Sequence, residues 1–182
     1  MQIHLDLHEN ATRSQILDTL LEAMSEEERT SFDYIMNHAV VPDKHHHSIV
    51  EVRESIDALT VPEQVKNDLH EVYEILAKAE AKVHGCKVEE THFHEVGNAN
   101  GIRNALAICA AFYVIAPQSV TATAIQPGEG EIECAHGVLS LPAPATAAII
   151  EGLPLAQTRL QGERVTPTSA ALIKHFVTSF IK

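Results

Sequence analysis

The sequence predicts an α+β fold, a single helix-rich domain over residues 1–182 with a small mixed sheet. Three features point there. Long stretches place apolar residues at three- and four-residue steps between helix caps. A few short runs alternate apolar and polar side chains, as half-buried strands do. The 182 residues suit one domain, and the chain shows neither a repeat nor an internal domain boundary.

Residues 3–8 alternate strictly and predict a strand. Ile3, Leu5 and Leu7 share one face, and His4, Asp6 and His8 the other. Asn10 is placed to cap a helix over 11–24, with Ile16, Leu17, Leu20 and Leu21 on its buried side. Ser25 and Glu28 form a capping box for a second helix, whose stripe holds Phe32, Ile35 and Met36. Residues 40–48 break the pattern as a flexible loop containing His45, His46 and His47. Such a run is either a metal-gathering loop or a neutral polar linker. A short helix covers 49–59. Thr60 and Glu63 suggest another capping box, with Pro62 in the first turn, opening the longest helix. Its stripe runs through Val65, Leu69, Val72, Leu76, Ala79 and Val83, and Gly85 is its stop.

In an extended segment His92 and His94 project from one face and Phe93 from the other. Residues 97–101 suggest a turn. Residues 102–115, apolar nearly all round, predict a buried helix ended by Pro117. Strands are expected over 119–125, 131–135 and 155–160, with a loop over 126–130. The proline-rich run 139–144 is extended, and a short helix over 144–151 stops at Gly152. Thr166 caps the last helix and Pro167 opens it, with Leu172, Ile173, Phe176, Val177 and Phe180 as its buried stripe.

Apolar residues make up 45% of the chain but aromatics only 4%, so the core is built from Ala, Leu, Ile and Val. The 25 acidic against 13 basic residues, a net charge of −12, argue against a nucleic-acid partner. The longest apolar run, about twelve residues, is too short to cross a bilayer. The N-terminus shows no signal-peptide pattern. Cys86, Cys109 and Cys134 include no C-x-x-C pair and fit free thiols in a reducing compartment. The expectation is a soluble cytoplasmic protein with no membrane partner. The apolar helix over 102–115 is compatible with a homo-oligomer.

The chemistry on offer comes from histidines and carboxylates. Twelve histidines are many for this length. Asp6, His8, His92, His94, Glu95 and His136 are the residue types that hold a borderline transition metal, and they suit Zn, Ni, Cu and Fe alike. No phosphate loop or G-x-S-x-G motif occurs. Thr166 and Thr168 lie at a helix N-terminus, where hydroxyls either help bind an anion or simply cap the helix.

Four motifs together resemble one family. Residues 77–85 (AKAEAKVHG), 89–97 (EETHFHEVG), 134–146 (CAHGVLSLPAPAT) and 162–168 (GERVTPT) are similar, in this order, to segments of the LarC-type nickel insertion proteins. The histidine run at 45–47 falls where that family carries a longer histidine-rich segment. The resemblance implies CTP-dependent cyclometallation, with Ni²⁺ inserted into pyridinium-3,5-bisthiocarboxylic acid mononucleotide to give the nickel-pincer cofactor. It further implies that this chain is the N-terminal half. CTP, with Mg²⁺ or Mn²⁺, would then be bound by a separate C-terminal-type nucleotide-binding partner. His92, His94, His136, Asp6 and Glu95 would hold nickel or orient the cofactor precursor, and His45, His46 and His47 would gather metal.

This sequence also departs from the family pattern. Asp6 matches, but residues 7–14 lack the family's Cys, its glycines and its second Asp. Two acids expected after the H-F-H-E-V-G motif are Asn100 and Asn104 here. Asparagine keeps a carbonyl oxygen and loses the charge, which weakens the hold on a hard cation. Two alternatives therefore stand beside insertion: a binding or regulatory module that has lost the reaction, and a metal-dependent hydrolase.

Overall fold

The first strand, β1 (Gln2–Leu5), is shorter than the alternation predicts, so Asp6 and His8 lie past its end. The computed structural model describes residues 1–42, 48–93, 97–134 and 137–181. Helix α1 (Arg13–Ala23) has Thr12, not Asn10, at its N-cap. The Asn10 Oδ1 instead accepts the Thr12 N–H at 3.0 Å. That local turn holds the chain out of the helix for two more residues. Helix α2 (Glu26–His38) carries the predicted box: the Ser25 N–H donates to Glu28 Oε2 at 2.7 Å and the Glu28 N–H to Ser25 Oγ at 3.3 Å. Ser48 and Glu51 cap α3 (Ile49–Asp57) in the same way.

The box expected at Thr60 does not form. Helix α4 (Glu63–His84) has Pro62 at its N-cap and no side-chain cap. Pro62 pushes Val61 out of the helical region, so the helix cannot begin early enough for Thr60 to cap it. Gly85 ends α4 in the left-handed conformation, at φ 66°. A 3-10 turn (Val88–Glu90) follows. Helix α5 (Ala99–Ile115) starts inside the predicted turn, because the Asn98 Oδ1 accepts the Gly101 N–H at 2.8 Å and caps it. It is the apolar helix of the sequence, with Ile102, Leu106, Ile108 and Cys109 fully buried.

Strand β2 (Ser119–Ala122) pairs in parallel with β1, Ile3 opposite Val120 and Leu5 opposite Ala122. Strands β3 (Glu131–Cys134) and β4 (Gly137–Ser140) form a separate antiparallel pair. Helix α6 (Pro144–Ile150) follows, and α7 (Pro167–Phe176) is capped by Thr166. The chain then leaves the helix, and Phe180 belongs not to the α7 stripe but to β5 (Ser179–Phe180), parallel to β2. Thr178 makes the break, with its N–H and its hydroxyl both donating to Val120 O at 2.8 Å. The strand expected over 155–160 is reduced to a single bridge between Ile125 and Leu155. Beyond it the Gln126 side chain bonds Thr158 O and Leu160 N–H, and the Leu160 carbonyl accepts the Glu129 N–H at 2.9 Å.

The fold is thus α+β and helix-rich. Its strands divide into a parallel sheet of order β1-β2-β5 and the β3-β4 pair. One contiguous apolar core joins the inner face of the parallel sheet to the helices, with Leu5, Leu69, Ile108, Ile149 and Leu172 among its members.

Candidate functional site

The parallel sheet decides where polar residues collect. Helix α1 leaves the carboxyl end of β1, while α5 and α7 each run back to the start of a parallel strand. All three therefore present their N-termini toward the edge where the strands end, the usual place for a ligand in an open parallel sheet. There they line a cleft of about 410 Å³. Thr12, Arg13 and Ser14 come from α1, Asn98, Asn100, Gly101 and Asn104 from α5, and Thr166 and Thr168 from α7.

The cleft's electrostatics are one-sided. A helix N-terminus carries roughly half a positive charge. None of the three helices has an acidic residue in its first turn. Helix α1 has no side-chain cap either. Arg13 adds a full positive charge, is half-buried, and among the described residues makes no hydrogen bond or ion pair. Thr166 serves mainly as a cap, its Oγ1 accepting the Ser169 N–H at 3.2 Å while the Thr166 N–H donates to Ser169 Oγ at 2.9 Å. The Thr168 hydroxyl has no partner among the described residues. The arrangement suits an anionic group.

Of the predicted metal ligands, Asp6 and His92 lie within the described residues. His94, Glu95, His136, His45, His46 and His47 lie outside them. Asp6 is exposed just beyond β1, where its Oδ1 accepts the His8 N–H at 3.2 Å and the Thr123 hydroxyl at 3.3 Å. His92 is exposed between buried Thr91 and buried Phe93. Phe93 meets Tyr73 edge-on, ring centroids 5.9 Å apart, so the core holds Phe93 inside and His92 faces outward, as expected. Among the described residues no three His, Cys, Asp or Glu side chains gather around one point.

The cleft unites residues that sequence reasoning noted separately, namely Asn100, Asn104, Thr166 and Thr168. Arg13 was missed, as were Thr12, Ser14 and Asn98. A signal for Arg13 did exist: a cation in a first turn opposes the helix dipole, and a broken local rule often marks a functional position.

The fold and cleft define an α+β domain with an anion-suited cleft at the carboxyl ends of parallel strands. The nickel insertion protein family model matches residues 4–182, and the chain belongs to that family. The pyridinium-3,5-bisthiocarboxylic acid mononucleotide nickel insertion protein of Staphylococcus epidermidis is 41% identical over 145 residues, 80% of this chain and 37% of that protein. The protein of the same name from Geobacillus kaustophilus is 35% identical over 157 residues, 83% of this chain and 38% of that protein. A putative nickel insertion protein of Maridesulfovibrio salexigens is 36% identical over 133 residues, 73% of this chain and 32% of that protein. This chain spans between 32% and 38% of the length of these relatives. No solved structure matches it.

Proposed function

We propose that this chain takes part in nickel insertion, and that its cleft receives the phosphate of pyridinium-3,5-bisthiocarboxylic acid mononucleotide. The observation that carries this reading is the acid-free meeting of three helix N-termini around Arg13, in a chain of net charge −12. A phosphate there would gain the partial charges of the helices and charge-assisted hydrogen bonds from a guanidinium. Relatives whose printed names specify a mononucleotide supply the ligand class.

Nickel is a substrate in this reading. Its ligands are drawn from His92, His94, His136, Asp6 and Glu95, whose nitrogen and oxygen donors suit Ni²⁺, and the precursor's sulfur atoms complete a softer set. His45, His46 and His47 raise the local supply of metal. CTP, with Mg²⁺ or Mn²⁺, is bound by a C-terminal-type nucleotide-binding domain, whether on this polypeptide or on a partner, and the reaction runs in the cytoplasm. No described helix is long and apolar enough to cross a membrane.

One observation favours a second reading, a binding or regulatory module of the same fold. The side chains of Asn100 and Asn104 bring amides, not carboxylates, to the cleft. A maturation assay with precursor, Ni²⁺, CTP and the nucleotide-binding domain separates the two. Turnover that collapses in His92→Ala supports insertion, and its absence in the wild-type chain supports the module.

Calorimetry with nicotinic acid mononucleotide, a pyridinium mononucleotide, tests the cleft directly. Saturable binding in the micromolar range is expected. A dissociation constant weaker than about 1 mM would end the proposal. The same threshold applies to Ni²⁺ titrated at neutral pH.

A further inference from the structure

We infer that Gln126 is a positioning residue for the cleft, holding the segments that begin α1 and α7 in register from beneath. The inference rests on the reading of the cleft as a mononucleotide site.

Gln126 is only 1% exposed, yet its amide is fully used. Its Nε2 donates to His8 O at 3.1 Å and to Thr158 O at 3.0 Å. Its Oε1 accepts the Gly128 N–H at 3.1 Å and the Leu160 N–H at 3.2 Å. Its own backbone N–H donates to Leu7 O at 2.9 Å. An amide has two donor hydrogens and two acceptor lone pairs, and all four are matched here. Two carbonyls on one side and two N–H groups on the other also settle which end is nitrogen.

Two of the segments joined in this way lead into helices that line the cleft. Residues 8–12 lead into α1, and residues 158–166 into α7. The Ala11 N–H donates to Arg164 O at 2.8 Å, and Arg164 Nη1 donates to Glu9 O at 3.5 Å, so the two approaches run side by side. Gly128 lies flush on the same strip. At φ +70° a Cβ on it would come within 2.3 Å of Gly162 O. Backbone bonds pair Ile125 with Pro154 and Ala156, and Glu129 with Leu160 and Gly162; between them the Gln126 amide bridges the gap and reaches His8 as well. Moving it shifts Arg13 relative to Thr166 and Thr168.

No other side chain of similar size serves. Gln126→Glu keeps both acceptors and loses both donors, turning a carboxylate toward His8 O and Thr158 O. In the full chain, Gln126→Glu is expected to weaken nicotinic acid mononucleotide binding by tenfold or more in calorimetry. It should also move the backbone amide NMR resonances of residues 12–14 and 166–168. Ile56→Val, a core change on α3, controls for lost stability: it should lower the melting temperature yet leave affinity within twofold and those resonances in place. Gln126→Asn keeps the amide but shortens its reach, and carries the same test where Gln126→Glu does not fold. Resonances of 12–14 and 166–168 unmoved by both variants would overturn the inference, as would affinity within twofold of wild type. If the wild-type chain binds no mononucleotide, the cleft reading fails, and the resonance shifts still decide whether Gln126 sets the two helix starts.

Discussion

Helices α2, α3 and α4 differ from α1, α5 and α7 in their first turns. The first group opens on acids: Glu26, Glu27 and Glu28, then Glu51, then Glu63. The second group has none. The capping boxes differ in the same sense. Glu28 and Glu51 close those of α2 and α3, while the uncharged Ser169 closes that of α7. An acid in a first turn stabilises a helix by about 0.3–1 kcal/mol. A chain with 25 acidic residues takes that stabilisation on α2, α3 and α4 and forgoes it at the cleft, as it does on the short α6. Three acid-free helix starts meet only at the cleft, where Arg13 joins them.

The largest effect expected is at Arg13. Reversing its charge in Arg13→Glu should weaken mononucleotide binding about a hundredfold by calorimetry, near 2.7 kcal/mol. Stability should stay within about 0.5 kcal/mol, because Arg13 has no described partner to lose. Next comes Thr168→Glu, which gives α7 an acidic first turn like those of α2, α3 and α4. Binding should fall about tenfold while chemical denaturation shows stability unchanged or raised by about 0.3–1 kcal/mol. Loss of stability together with retained binding would break the comparison.

Ser25→Ala on α2 should do the reverse, costing about 1 kcal/mol of stability and leaving binding untouched. The Ser25 N–H, and then its hydroxyl, hold the Glu28 carboxyl below its ordinary range of about 4.5. A lowered folded pKa means that this contribution is present at neutral pH. It is lost as pH falls below about 4.5 and through the folded value. Melts of wild type and Ser25→Ala should therefore draw slightly closer on acidification without meeting, because the Glu28 N–H to Ser25 Oγ cap bond does not titrate and the Ser25 backbone N–H remains in the variant. The smallest effect is at Glu26→Gln, a few tenths of a kcal/mol in urea titrations, with no change in affinity.

Where the sequence alone succeeded, the signals were local. The Ser25–Glu28 box, the Gly85 stop, the apolar run of α5 and the Thr166-Pro167 start of α7 each depend on residues within one or two turns. Thr60 failed as a cap because a second local rule, the restriction that Pro62 imposes on Val61, outweighed it. The strand expected over 155–160 and the unforeseen β5 turned on partners far away in the chain. Leu155 meets Ile125, and Phe180 meets Ala122. A strand exists only when its ladder is filled, and period-two patterning does not say by what.

The candidate site divides along the same line. Residue chemistry alone singled out Asp6, His92, Thr166 and Thr168, the family resemblance drew attention to Asn100 and Asn104, and the outward turn of His92 against buried Phe93 followed from alternation. That Asn100, Asn104, Thr166 and Thr168 share one cleft with Arg13 was decided by the tertiary structure. Helices are written in bonds between residues four apart, so a sequence specifies them directly. Bringing residues 13, 100 and 166 to one cleft takes the parallel order of β1, β2 and β5, which exists only once the core has closed.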